Sequence, residues 1–322
     1  MEFQFLGTSS GTPSRSRNVS GLALRSSASA GWALVDCGEG TQHQVLRTSL
    51  TLHGLRAVFI THMHGDHCYG LPGLLASAGM LGRTAPLPVV GPAPLWRYLQ
   101  AVMETSELAL PFALEFVPIE ELERTRVLDD LDVRPLPLSH RLPSWAFRFT
   151  EREVERRLDP ERLRAAGVPR GEDWGRLQRG EDVVLDGGRV VRALDVLQTP
   201  RRPRALIVGG DNDSPGLLLQ EARTAQVLIH EATYTEAVRQ RIGPGPQHSS
   251  AQMVARMAQE AGLPNLVLTH FSPRYQDRPG PGQPGIADVE AEARAAYGGR
   301  LFMARDFARY ALDRQGRLEA EA

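Results

Sequence analysis

Ala57-Val58-Phe59-Ile60-Thr61-His62-Met63-His64-Gly65-Asp66-His67 carries an apolar, strand-like run straight into four possible metal ligands. Side chains alternate along a strand, so His62 and His64 are expected to share one face. Gly65 permits a sharp turn, after which Asp66 and His67 arrive from the next segment. Three imidazoles and a carboxylate this close are costly to hold in an apolar interior unless something satisfies them. A divalent cation does so, and imidazole with carboxylate suits zinc or a similar first-row metal. Four local ligands are too many for one tetrahedral site that keeps an open position, so two cations are expected. Further ligands should then come from other strand ends. His140 follows an apolar run ending in Leu138, Asp211 follows ALIVGG and His270 follows NLVLT. Asp211, with two carboxylate oxygens, is able to bridge two cations.

The same alternation predicts strands over Glu2–Leu6, Trp32–Asp36, Ala57–Thr61, Leu87–Val90, Ala113–Val117, Val133–Leu138 and Trp145–Phe149. A second group is predicted over Arg189–Ala193, Ala205–Gly209, Ala225–His230, Asn265–Thr269 and Arg300–Ala304. Helical patterns lie between several of these. The clearest is Ser249–Ala261, with Met253, Val254, Met257, Ala258 and Ala261 on one face and two serines as N-cap candidates. Strands separated by single helices indicate an α/β architecture of covered sheets. From Glu151 to Arg204 the chain turns charged and turn-rich, which predicts an insertion projecting from the body. Arg278–Gly285, rich in Gly and Pro, is expected to be a mobile loop.

The 322 residues are 42% hydrophobic with a net charge of −1. At about 150 residues per domain this allows one or two domains, or one large α/β domain. Apolar content of this size excludes a wholly disordered chain. No apolar run approaches the roughly 18–20 residues that span a bilayer, and the N-terminus lacks a basic leader followed by an apolar stretch. Cys37 and Cys68 cannot make a disulfide framework, so a cytoplasmic protein without a membrane partner is expected. Both are expected to be small buried hydrophobes. Near-neutrality excludes a grossly basic nucleic-acid binder but not a local basic patch. All 37 basic residues are Arg; codon bias accounts for this, and bidentate phosphate recognition is the functional alternative.

With these residues in hand, the chain resembles the metallo-β-lactamase superfamily and, more narrowly, the bacterial short form of ribonuclease Z. The resemblance runs from FLGTSSGTPSRSRN through WALVDCGEGTQHQ, THMHGDHCYGLPGLL, SHRLPSWAFRF, GGDN, HEAT and HSSAQ to LTHFSPRY, nearly the whole chain. It implies one four-layer αββα domain over 1–322, with 151–204 as an inserted flexible arm. It implies one metal held by His62, His64 and His140, a second held by Asp66, His67 and His270, and Asp211 between them. Two Zn2+ per subunit are implied, with Mn2+ or another divalent metal as the alternative. The likeness makes Asp66 the acceptor of the nucleophilic water's proton and His248 the proton donor to the leaving oxygen, oriented by Glu231. A helix-start residue without chemistry is the other account of His248. Asp36 and Glu39 are candidates to support the ligand imidazoles, and His230 is expected to be structural. His43 and His53 are expected at the surface or in packing.

Such a metal core serves thioesterases, lactamases, sulfatases and nucleases alike. Three features favour RNA. Pro13-Ser14-Arg15-Ser16-Arg17-Asn18 is similar to the family's PxKxRN loop at the cleavage site, with Arg15 in place of lysine. Arg15, Arg17 and Asn18 are therefore candidate substrate contacts. GVPRGEDWGRL resembles the family's tRNA-gripping arm, although Glu172 stands where proline is expected. Arg274, in SPRY after His270, is the third candidate contact. GGDN departs from the family by Asn212 in place of threonine. The implied activity is removal of the 3′ trailer from precursor tRNA, leaving a 3′-hydroxyl on the tRNA and a 5′-phosphate on the trailer, by a homodimer. A hydrolase of small phosphodiesters or thioesters and a non-catalytic RNA-binding protein remain as alternatives.

Overall fold

The computed structural model describes residues 1–26, 29–198 and 201–321. In chain order its strands are β1 (Glu2–Gly7), β2 (Gly21–Arg25), β3 (Trp32–Cys37), β4 (Leu55–Phe59), β5 (Leu87–Gly91), β6 (Leu114–Pro118), β7 (Leu131–Leu138) and β8 (Ser144–Glu151). They continue with β9 (Val183–Val184), β10 (Val190–Val191), β11 (Ala205–Val208), β12 (Val227–Glu231), β13 (Asn265–Thr269), β14 (Arg300–Met303), β15 (Arg309–Leu312) and β16 (Leu318–Glu321). Among the described residues, one sheet runs β16-β15-β1-β2-β3-β4-β5-β6 and a second runs β14-β13-β12-β11-β8-β7. Strands β3 to β6 are mutually parallel, as are β11 to β14.

Alternation along the central strands explains the layering. Ala33, Val35, Ala57 and Phe59 enter the core shared by the two sheets. Their neighbours Trp32, Leu34, Leu55 and Val58 enter a second core, under the helices Leu71–Met80 and Ala93–Thr105. Both faces of these strands are thus buried, as parallel sheets require. Phe59 meets Phe147 and Phe149 of the opposite sheet at ring separations of 5.3 Å. Each such ring contributes about 1.5–3 kcal/mol by leaving water. On the far side of the second sheet, helices Ala251–Ala261 and Ile286–Arg294 bury Val254, Met257, Ala258, Val289 and Ala293. The first of these helices starts at Ser250, whose side chain accepts from the Met253 N–H. The result is helix, sheet, sheet, helix.

Three readings of the sequence need correction. Strand β4 ends at Phe59, so His62 and His64 are not alternating strand residues; they lie on the loop beyond it. The strands β2, β9, β15 and β16 escaped the sequence pattern. β15 and β16 are short and carry Arg309, Glu319 and Glu321 outward, so pairing with neighbours rather than their own composition makes them strands. Arg189–Ala193 contributes only Val190 and Val191, paired with Val184 and Val183 rather than joining the large sheets.

The chain divides into two compact units, Met1–Glu151 with Arg204–Ala322, and Arg152–Pro203. The smaller unit, despite its charge, has a core of its own: Leu163, Leu177, Val183, Ala193 and Val196 are buried in it. Its first helix, Pro160–Ala165, is capped by Asp159, which accepts from the N–H groups of Glu161 and Arg162. Thr199 and Pro200 of the TPRRPR stretch lie outside the described residues. In the larger unit, Gln276 and Gly285 bridge the base of the Arg278–Gly285 loop.

Candidate metal centre

Ligand candidates converge just beyond the C-terminal ends of β4, β7, β11 and β13, where open α/β sheets place their sites. His64 Nδ1 lies 3.1 Å from His62 Nε2 and 3.0 Å from His140 Nε2. Asp211 Oδ2 is 3.5 Å from His62 Nε2 and 3.6 Å from His140 Nε2. A second group forms beside it. His270 Nε2 is 3.2 Å from His67 Nε2 and 3.3 Å from Asp66 Oδ2. The other Asp211 oxygen, Oδ1, is 3.4 Å from His67 Nε2 and 3.3 Å from His270 Nε2. Asp211 therefore offers one oxygen to each group.

The donor set fits two cations. Around a tetrahedral metal with ligands at about 2.0–2.1 Å, neighbouring ligand atoms sit about 3.4 Å apart, and the separations here run from 3.0 to 3.6 Å. Asp211 Oδ1 is buried without a hydrogen bond, a costly state for a carboxylate oxygen unless a cation meets it.

Tautomers point the same way. The Thr61 hydroxyl donates to Asp36 Oδ2 at 2.9 Å, so it accepts from His62 Nδ1 at 3.0 Å. The Thr233 hydroxyl donates to Glu231 Oε2 at 2.6 Å and faces His270 Nδ1 at 3.1 Å. Asp36 Oδ2 takes His67 Nδ1 at 2.7 Å, and the Gln247 carbonyl takes His140 Nδ1 at 2.8 Å. In these four histidines the Nδ1 side is engaged, which turns Nε2 inward; His64 turns its Nδ1 inward instead. Burial opposes a charge on His67, but Asp66, Asp211 and Asp36 outweigh it and raise its pKa well above the usual value. Those three carboxylates demand positive charge at this spot. Burial above all keeps His62 and His140 below the usual imidazole range.

The backbone is bent to serve these contacts. Asp36, Gln247 and His270 hold positive φ of 59°, 54° and 57°, a conformation uncommon outside glycine and typical of functional sites. Asp36→Asn keeps the shape but gives up the charge behind His67. Metal affinity is expected to fall about 10–100-fold, measured by competition with a chromophoric chelator.

His248 sits beside the ligands. Its Nδ1 is 3.3 Å from Glu231 Oε1 and 3.8 Å from Asp211 Oδ2. Glu231 also accepts from the N–H groups of Ser249 and Thr233 at 2.8 and 2.9 Å, so its orientation is set. Burial opposes protonation of His248, yet the Glu231 carboxylate overrides it and holds the imidazole up at about 9.

Asn212 and Tyr234 are neighbours that the sequence did not place. Asn212 Oδ1 accepts from the N–H groups of Ser139 and Ser214, and its amide donates to His230 Nε2 at 3.0 Å. A threonine hydroxyl lacks this combination of one carbonyl and one amide. Tyr234 lies edge-on to His248, with ring centres 5.9 Å apart, and under the Arg274 guanidinium.

The candidate RNA contacts separate. Arg15 and Arg274 are exposed. Arg17 is 4% exposed, and its guanidinium donates to Thr8 Oγ1, the Ala304 carbonyl and Asp277. Asn18 is tied to the Glu39 carbonyl and to Asp306. The structure thus turns Arg17 and Asn18 into braces of the loop: both terminal guanidinium nitrogens of Arg17, and the side-chain amide and backbone N–H of Asn18, are engaged within the chain. Glu39 is exposed, whereas Asp36 is buried against His67. His43 and His53 are exposed, Cys37 and Cys68 buried.

A family model described as a beta-lactamase superfamily domain matches residues 31–168. The crystal structure of human tRNase Z, short form (ELAC1), superposes with a TM-score of 0.65 at 26% identity, covering 97% of this chain and 100% of that one. The metallo-β-lactamase-fold protein YhfI of Bacillus subtilis, 18% identical with a TM-score of 0.62 over 99% of both chains, shares the fold. Two sheets with a His- and Asp-rich edge are thus a metallo-β-lactamase fold. Ribonuclease Z of Marinobacter nauticus is 55% identical over 99% of this chain and 98% of its own. Ribonuclease Z of Synechococcus sp. is 43% identical over 95% of both. The chain belongs to the ribonuclease Z family.

Proposed function

We propose that the chain is a zinc-dependent endoribonuclease that removes the 3′ trailer of precursor tRNA, leaving a 3′-hydroxyl on the tRNA and a 5′-phosphate on the trailer. The observation that carries this is the pair of neighbouring ligand groups with one Asp211 oxygen facing each, and the His248–Glu231 pair beside them. His62, His64, His140 and Asp211 Oδ2 would hold one cation, and Asp66, His67, His270 and Asp211 Oδ1 the other. Bound divalent cations acidify water and neutralise phosphate charge. Zinc suits this imidazole-rich set, and Mn2+ is the alternative.

The chain's own groups do the rest. Asp66, its Oδ2 fixed by the Gly11 N–H at 2.7 Å, takes the proton of the attacking water through its other oxygen. His248, protonated beside Glu231, gives its proton to the leaving 3′-oxygen. Arg15 and Arg274, exposed at the loops nearest the ligands, contact the RNA backbone without reading its bases. The arm, residues 151–204, grips the tRNA away from the cut. The working unit is a homodimer in which one subunit's arm presents tRNA to its partner, and its mark is a solution mass twice that of the chain. A cytoplasmic location goes with this substrate. Among the described residues no helix is long and apolar enough to cross a membrane.

The test is an end-labelled precursor tRNA incubated with the purified protein, with and without chelator. A discrete cut beside the discriminator nucleotide is expected, lost on chelation, restored by zinc and absent in Asp66→Ala. RNA left intact under every metal condition would favour the RNA-binding alternative over a nuclease.

A further inference from the structure

Phe307 is a bulky residue with φ of 69°, a genuine outlier for its type. Its N–H donates to the Phe5 carbonyl at 2.7 Å and its carbonyl accepts from Gln4 Nε2 at 3.1 Å. This pinned backbone holds the ring beneath Arg47, whose guanidinium carbon lies 4.3 Å from the ring centre. The ring covers one face of the guanidinium and leaves its N–H edge open. Across a cavity of about 350 Å³ stands Arg15. Both arginines are exposed, and neither guanidinium has an ion-pair or hydrogen-bond partner among the described residues.

The cavity's other charged groups are already engaged. Arg17 is paired with Asp277. Asp306 accepts from the Thr8 hydroxyl, the Asn18 N–H and the Gln44 amide. Two open guanidinium groups against one saturated carboxylate leave the pocket positive and short of acceptors. One loop joins it to the metal centre: Gly11 donates to Asp66, and Ser10 donates to the Phe271 carbonyl, next to His270.

We infer that Arg47, braced by Phe307, and Arg15 form a binding pocket for a phosphodiester of the RNA strand, separate from the metal ligands. This rests on the ribonuclease activity proposed above, since the same loop touches both the pocket and Asp66. Arg47 is a binding residue here, and Phe307 positions it. Guanidinium forks suit phosphate oxygens, and the cavity is of a size that takes a nucleotide unit.

The test measures binding of precursor tRNA to chelator-treated full-length protein across a salt series, by fluorescence anisotropy. Arg47→Ala is expected to weaken binding about 10-fold and to flatten the slope of log K against log salt by about 0.7, one single-strand phosphate contact. Arg47→Lys should keep most of the slope. Arg15→Ala should lower it similarly, and melting temperatures should be unchanged because both side chains are exposed. With metal restored, the Arg47→Ala loss should fall on KM rather than kcat. Unchanged slopes in both alanine variants would overturn the assignment. So would inorganic phosphate binding that depends on Arg47 while RNA affinity does not, because the pocket would then serve a free anion. Failure of the wild-type protein to cut precursor tRNA would instead sink the ribonuclease activity, and is read separately.

Discussion

Asp211→Asn is expected to empty the centre of metal and to lower cleavage of precursor tRNA on the order of 10³-fold or more. The carboxylate faces both ligand sets, with Oδ2 near His62 and His140 and Oδ1 near His67 and His270. An amide of the same shape offers one oxygen and one N–H2, so one set meets a donor where it needs an acceptor. Activation of water and neutralisation of phosphate charge are lost together, and each alone is worth orders of magnitude. The measurements are metal content by atomic absorption and the single-turnover rate. A variant that kept both metals and most of its rate would show that Asp211 does not bridge.

His248→Ala should behave differently. Metal content should be retained, because His248 lies outside the two ligand sets, while the rate falls by about 10²–10⁴-fold, the worth of a positioned general acid. The pH dependence separates this from a structural defect. Glu231 holds the imidazole up at about 9, so the proton-donating form is present at neutral pH and is lost as the pH rises through that value. Activity should therefore fall on the alkaline side. Glu231→Gln removes the charge that raises the imidazole, and the alkaline fall should move to lower pH. Rates unchanged in His248→Ala would remove it as the acid.

Much of the fold was legible because central strands must be apolar on both faces. The runs at β3, β4, β12 and β13 stand out in the sequence for that reason. Edge strands such as β16, with Glu319 and Glu321 exposed, owe their conformation to a neighbour far along the chain and carry little signal of their own. The ligand candidates were legible because histidines and aspartates directly after apolar runs have few other reasons to be there. Their exact backbone was not: β4 stops at Phe59, and Thr61 leaves the sheet to meet the Asp36 carboxylate.

Composition and spacing alone determined that this is an α/β protein of covered sheets with a cluster of imidazoles and carboxylates at strand ends, because burial pattern and ligand type are properties of the residues themselves; the two-sheet layering was implied by the resemblance. The tertiary structure decided what each polar group is free to do. Arg15 and Arg17 are two residues apart in one motif, yet one guanidinium is open and the other is consumed by Thr8, Ala304 and Asp277. Asn212 ties His230 to the turn before His140, and Phe307 lies under Arg47. Such assignments depend on partners distant in the chain, and hydrogen bonds saturate: whether a donor is spent or available is settled only when the folded chain brings its acceptors to it.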